Sequence, residues 1–192
     1  MGFSTIEQAL SDLRAGKLIV CIDDPSRENE GDLICAAEFA SAELVNRMAG
    51  LARGLICLPV AADYAKKLGL PPMSAVNSDN HETAFLVSID HVETTTGISA
   101  AERALTARKL VAEDAAPSDF RRPGHLFPLL ARPNGVLERR GHTEATVDLC
   151  RLAGLNPAGL CCEIMREDGE MMRTKELLYL AEREGLCIIS IE

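Results

Sequence analysis

"KLIVCIDDPSRENEGDLICAA", residues 17–37, decides how this chain folds. The apolar runs "KLIVCI" and "DLICAA" do not alternate polar with apolar positions, the pattern of strands covered on both faces. Between them, residues 23–32 hold five carboxylates and one arginine. The stretch reads as two buried strands joined by an acidic loop, a hairpin. In an extended chain Glu28, Glu30 and Asp32 would project to one side. Carboxylates gathered in that way repel one another unless solvent or a cation neutralises them. The loop is therefore either a solvated hairpin tip or a metal or substrate site.

Working outward, Ser4 and Glu7 are spaced as a capping box for a helix bearing Ile6, Leu10 and Leu13 on one face, with Gly16 as its stop. After the hairpin the pattern predicts a helix over 41–50, a strand in "GLICLPV" and a short helix in "ADYAKKLGL" that ends near Gly69. "AFLVSID" follows as a strand, then a helix over "SAAERALTARKLVA" with Ser99 and Glu102 as a second capping box. "HLFPLLA" is strand-like, although Pro128 argues for an edge or a bend. The remaining elements are a helix in "TEATVDLCRLAG", a strand in "GLCCEIM", a turn at "EDGE", a helix in "TKELLYLAERE" and a last strand in "LCIISIE". An opening hairpin breaks strict βαβ order. The expected fold is α+β, a single-domain three-layer α/β/α sandwich around a mixed, twisted sheet.

At 192 residues the chain can bury a full core in one domain. No apolar run approaches the roughly 20 residues that span a bilayer, and the N-terminus lacks the layout of a signal peptide. A net charge of −9 argues against nucleic acid, whose binding rests on clustered cations, and 4% aromatic residues leave few stacking platforms. The seven cysteines show no CxxC or zinc-finger spacing and lie mostly in apolar runs, which suits a reducing cytoplasm.

Four further polar stretches could carry chemistry. "TTTGISAAER" (94–103) leads hydroxyls and Gly97 into a capped helix, whose N-terminus could hold an anion. "RRPGHLFPL" (121–129) puts His125 at the start of a strand, as a loop residue or a catalyst. In "ERRGHTEATVDL" (138–149), Arg139, Gly141 and Thr143 surround His142 at a helix start. That set offers a guanidinium, backbone N–H groups and a hydroxyl to a phosphate monoester. The alternative is an ordinary N-cap at Thr143 beside a solvated Arg139. Glu163, in "GLCCEIM", is a carboxylate among apolar residues. It either sits in a core strand, where burial would raise its pKa, or faces solvent at a strand end.

Taken together these segments resemble 3,4-dihydroxy-2-butanone 4-phosphate synthase, an enzyme family of riboflavin biosynthesis. The resemblance covers essentially the whole chain and is most specific in "RENEGDLICAAE", "TTTGISAAERALT", "RPGHLFPLLA" and "RRGHTEATVDLCRLAGLNPAGLCCEI". "LPPM" and "NSDNHETAF" also match, with Glu82 and Leu86 where Gly and Thr are expected. The family converts D-ribulose 5-phosphate to L-3,4-dihydroxy-2-butanone 4-phosphate and formate with Mg²⁺. The resemblance implies that Glu28 and His142 hold the metal, as one ion or two, with Mn²⁺ as an alternative. It implies substrate contacts from Arg27, Glu28, Asp32, Arg139, Arg140, Gly141, His142, Thr143 and Glu163. His125 and Glu163 match the pair regarded as essential for catalysis, with Asp32 beside them. Cys57 and Thr96 would line the pocket. Arg140 stands where the family has a small residue.

The resemblance further implies a homodimer with sites near the subunit interface, so that one chain could complete its partner's pocket. Some relatives carry a C-terminal GTP cyclohydrolase II domain. Residues 1–192 are expected to be one synthase-like domain without it. Two competing readings are another divalent-metal sugar-phosphate isomerase or aldolase, which would retain all carbon, and a regulator that binds without turnover.

Overall fold

The computed structural model describes residues 2–191. The opening hairpin is present: β1 (Ile19–Ile22) pairs antiparallel with β2 (Gly31–Ala36), and every residue of both strands is buried. They belong to a seven-stranded mixed sheet with β3 (Cys57–Val60), β4 (Ile89–His91), β5 (Phe120–Leu130), β6 (Gly159–Glu163) and β7 (Cys187–Ser190). Its spatial order is β4-β5-β3-β6-β2-β1-β7. The β1–β7 and β3–β5 pairs are parallel and the other neighbours antiparallel.

Helices cover both faces, as the doubly buried strands require. On one face α2 (Ala42–Ala52), α4 (Ala100–Leu110) and α6 (Thr174–Glu184) pack on Val20, Leu33, Leu58 and Leu160. On the other, α1 (Ile6–Arg14) and α5 (His142–Leu152) pack on Ile19, Ile34, Cys57, Cys161 and Ile189. A short helix, α3 (Ala62–Lys67), follows β3. The expected three-layer α+β sandwich is therefore the fold. Side-chain alternation along β2 sends Leu33 and Cys35 to the first face and Asp32 and Ile34 to the second.

Local details differ where distant partners intervene. The first helix is capped by Thr5 and Gln8, not Ser4 and Glu7, because the Ser4 hydroxyl accepts from the Ile188 N–H (3.2 Å). Ser4 N–H in turn donates to the Ile188 carbonyl at 2.7 Å, so the N-terminal segment lies along β7. Ser99 does cap α4, but Glu102 turns away from a reciprocal box to accept from the Thr95 and Gly97 N–H groups. Pro128 lies inside the sheet, opposite Leu58, and its carbonyl still accepts from Leu86 N–H (2.9 Å). The β4 side of that ladder is already interrupted by a bulge between Ile89 and Asp90, so "AFLVSID" is strand only from Ile89. A Cβ at Gly124 would lie 2.0 Å from the Ile89 carbonyl carbon, so the bulge requires glycine there. The last strand stops at Ser190, and residue 192 of the expected strand lies outside the described residues.

Candidate functional site

The second face of the sheet carries two carboxylates where α5 begins. Asp32 on β2 is the register partner of Glu163, the last residue of β6, so their side chains stand side by side. Asp32 is buried, with its Oδ1 lacking any hydrogen-bond partner. Burial, followed by the charge of Glu163, pushes its pKa well above the usual carboxylate range. Glu163 is half-buried at the strand end, where its Oε2 accepts from Leu55 N–H (2.9 Å). It is thus a cleft residue and not a core one.

His142 is the first residue of α5, after Gly141 at the N-cap. It is buried, its Nδ1 lies 3.6 Å from Asp32 Oδ1 and 3.8 Å from Glu28 Oε2, and its Nε2 has no partner. Burial lowers its pKa against the pull of Asp23 and Glu28, which favours the neutral imidazole that can ligate a metal. Glu28 arrives on the acidic loop. Asn29, at φ 55°, interrupts the extended alternation assumed for this stretch. Asp23 shapes the loop instead: its carboxylate accepts from Arg27 Nη1 (2.7 Å), Glu28 N–H (3.1 Å) and Glu30 N–H (2.8 Å). Arg173, preceding α6, closes the loop from outside by donating to the Glu28 (2.9 Å) and Asn29 (2.6 Å) carbonyls.

These segments enclose a cavity of about 230 Å³ lined by Arg27, Glu28, Glu30, Asp32, Cys57, Arg139, His142, Thr143 and Glu163, and also by Asp79, Thr83 and Phe85. Thr143 lines the cavity and does not cap the helix. Arg139 is not solvated; it reaches Glu144 Oε2 (2.6 Å), the His81 carbonyl (3.0 Å) and Thr83 Oγ1 (3.0 Å). A Cβ on Gly141 would lie 2.2 Å from Arg139 Nη1, so this close approach needs glycine. Arg140 is exposed, near Asp24, and does not line the cavity.

A set of acidic oxygens, one neutral imidazole and two orphaned buried atoms fits a hard divalent cation. Asp23, Glu28 and His142 each offer a ligand atom within 4.8 Å of the others. Asp23 was missed in the sequence because its role comes from the loop's backbone. Its only signal was a carboxylate directly after a buried strand. A larger hollow of about 550 Å³, between α1 and α6, holds no comparable group of acid and base residues.

Two expected site residues lie elsewhere in the chain. His125, exposed on β5, binds buried Asp90 through Nδ1 (2.7 Å) and through its own N–H (2.9 Å). Thr96 is exposed in the turn before α4, where its hydroxyl donates to Glu102 (3.2 Å). That turn therefore spends its donors on Glu102, whose pKa falls to about 2, the Thr95 hydroxyl bond being the largest cause. Neither His125 nor Thr96 lines the cavity of its own chain.

Two expectations can be measured directly. Because its folded pKa is raised, Asp32 retains a proton in the native state from about pH 3.8 upward, where the unfolded chain has lost it. Stability therefore falls as pH climbs through that window. In chelator, Asp32→Asn should raise Tm at pH 8 by roughly 2–4 °C for each kcal/mol relieved. The gain should shrink toward pH 4, and a Tm below the parent's at pH 8 would contradict the electrostatic account. The seven thiols are all free, and only Cys187 is not buried. Burial pushes Cys35 and Cys150 up to about 12. A thiol reagent should modify about one cysteine quickly in the native protein and the rest only in denaturant. Several fast thiols would show the sheet interior to be open.

Comparison with known proteins agrees over the same residues. Residues 7–192 match the family model of 3,4-dihydroxy-2-butanone 4-phosphate synthase. The chain is 55% identical to riboflavin biosynthesis protein RibBA of Aquifex aeolicus, over 98% of this chain and 47% of that protein. It is 52% identical to the RibBA of Bacillus cytotoxicus, over 99% of this chain and 48% of the relative. The chain thus spans about half the length of these curated relatives. Among solved structures, a 3,4-dihydroxy-2-butanone 4-phosphate synthase in complex with two magnesium ions superimposes with a TM-score of 0.95 at 45% identity, covering 98% of this chain and 94% of that one. RibBX of A. baumannii, a two-domain synthase, gives 0.95 at 48% identity over 98% of this chain and 56% of its own.

Proposed function

Because this chain belongs to the 3,4-dihydroxy-2-butanone 4-phosphate synthase family, we propose that it is a lyase of riboflavin biosynthesis. It takes D-ribulose 5-phosphate to L-3,4-dihydroxy-2-butanone 4-phosphate and formate. The observation that carries this reading is the meeting of Glu28, Asp32, His142 and Glu163, from three separate segments, around one small cavity.

Glu28 and His142 would hold Mg²⁺ or Mn²⁺, with Asp32 and Asp23 adjacent. When bound, the ion would polarise the ketose carbonyl and favour the enediolate. Proton removal from carbon would fall to a carboxylate lining the cavity, and Glu163 lines it with one oxygen held by the Leu55 N–H. Loss of a hydroxyl as water, migration of one carbon and readdition of water then release that carbon as formate. Water leaves and returns, so the products together contain every atom of the substrate. Arg139 and Thr143 line the cavity and, with the N–H groups that open α5, would hold the unreacting phosphate.

Acid–base work by His125 requires a second copy, because in one chain it lies outside the cavity. A homodimer in which β5 of one subunit brings His125, oriented by Asp90, and Thr96 to the other's cavity reconciles the two clusters. No helix among the described residues is long and apolar enough to cross a membrane. The free thiols suit the cytoplasm. Residues 1–192 would act as one synthase domain. The test is incubation with ribulose 5-phosphate, with and without Mg²⁺. Metal-dependent formate with one four-carbon phosphate supports the assignment, and a five-carbon product alone refutes it.

A further inference from the structure

Glu144 is 1% exposed in the first turn of α5, and the chemistry above gives it no task. A buried carboxylate persists only when it is paired and hydrogen-bonded. Glu144 has two such partners, and both lead to one place. Its Oε2 accepts from Arg139 Nη1 (2.6 Å) and its Oε1 from the Arg132 N–H (3.1 Å). Arg139 then donates through Nε to the His81 carbonyl (3.0 Å) and through Nη2 to Thr83 Oγ1 (3.0 Å). The Arg132 side chain meets Glu82 Oε2 at 3.2 Å. Three consecutive residues, 81 to 83, are thus tied by two arginines, of which Glu144 holds one by its guanidinium and the other by its backbone N–H.

The segment so tied is anchored by backbone bonds at its two ends, Met73 N–H to the Phe85 carbonyl and Leu130 N–H to the Ala84 carbonyl (2.9 Å each), with the arginine ties between them. Residues 71–82 are all exposed and include no helix or strand. Its amides at His81 and Thr83 bond only within the loop, to Asp79 Oδ2 (3.1 and 2.9 Å). Asp79 and Thr83 nevertheless line the cavity. Of the five N–H groups of Arg139, one on each of its three nitrogens is spent on these ties. One on Nη1 and one on Nη2 remain for an anion.

We propose that Glu144 is a positioning residue: it fixes Arg139 so that one guanidinium both straps residues 81–83 over the cavity and presents its two spare N–H groups to the substrate's phosphate. The phosphate half of this statement rests on the function proposed above, and the strap does not. Glu144 touches no substrate; it acts through Arg139. Glu144→Gln keeps the volume but has no charge and only one acceptor oxygen for the two donors, Arg139 Nη1 and the Arg132 N–H, so the charge-assisted pair is lost and one donor faces an N–H₂ group.

The test reads hydrogen–deuterium exchange of the whole chain without ligand, alongside steady-state kinetics with ribulose 5-phosphate. In Glu144→Gln, exchange at 79–83 should accelerate about tenfold while the sheet amides keep the parent's protection, in line with the loss of one charge-assisted bond. KM should rise about tenfold, with kcat changing less. The double variant Glu82→Ala/Thr83→Val removes the two side-chain ties, leaving only the bond to the His81 carbonyl, and carries the test should Glu144→Gln fail to fold. Exchange at 79–83 within twofold of the parent in either folded variant, or acceleration spread evenly over the chain, would overturn the strap. Faster local exchange with unchanged KM would overturn the phosphate half. A parent that releases no formate would defeat the assigned reaction and leave the exchange result standing.

Discussion

Glu28→Gln should lower metal-dependent formate release about 10³-fold, the rate equivalent of the several kcal/mol that a bound cation supplies to a developing oxyanion. The amide keeps the size of the side chain and removes its charge. Arg27 Nη2, 3.0 Å from Glu28 Oε1, can still meet an amide oxygen, so the loop has no reason to unfold. The loss of one of several crowded carboxylates should leave the metal-free Tm at or above the parent value. Calorimetric titration with Mn²⁺ should show weakened binding in step with the lost rate. Turnover at the parent rate by chelator-treated variant protein would remove the metal from the scheme.

The second large effect tests the division of the site between subunits. Alone, His125→Ala and Glu163→Gln should each lose about 10²–10⁴ in rate, the usual range for removing a general acid or base. Mixed, unfolded together and refolded, they should recover. In a two-fold dimer half of the random pairings are mixed, and each mixed pair rebuilds one intact site of two, giving about a quarter of the parent activity. A mixture as inactive as its components would place both groups in the same chain's cavity, against the separation found here.

Much of this arrangement was legible in the sequence because its causes are local or periodic. "KLIVCI" and "DLICAA" lack alternation because helices cover both faces, and α6 occupies the stretch its pattern marked, Thr174–Glu184. The metal and substrate positions came from family resemblance, and Glu28, Asp32, His142 and Glu163 do converge. What escaped depends on contacts between residues far apart in the chain. Ser4 lost its capping role to Ile188, and no local pattern contains that competitor. Glu163 sits in an apolar stretch, yet the strand ends at it and Ile164 continues on the opposite face. Asp23 and Glu144 resemble ordinary acidic residues until the loops that they organise are seen. His125 and Thr96 were expected at the pocket from the resemblance, yet in one chain both stand exposed outside it.

The contact between Ser4 and Ile188 has a consequence for how the molecule could be rewired. Since Ser4 lies against Ile188, and β1 lies parallel to β7, the segment before α1 and the last strand run side by side. Bridging those ends with a short Gly/Ser linker and cutting the backbone near Val76 should give a circular permutant with the same sheet order. Such a break would fall in exposed backbone, where permutation is best tolerated. It would leave the residues on either side of the acidic cavity in their places while freeing one end of the segment whose residues 81 and 83 Arg139 bonds.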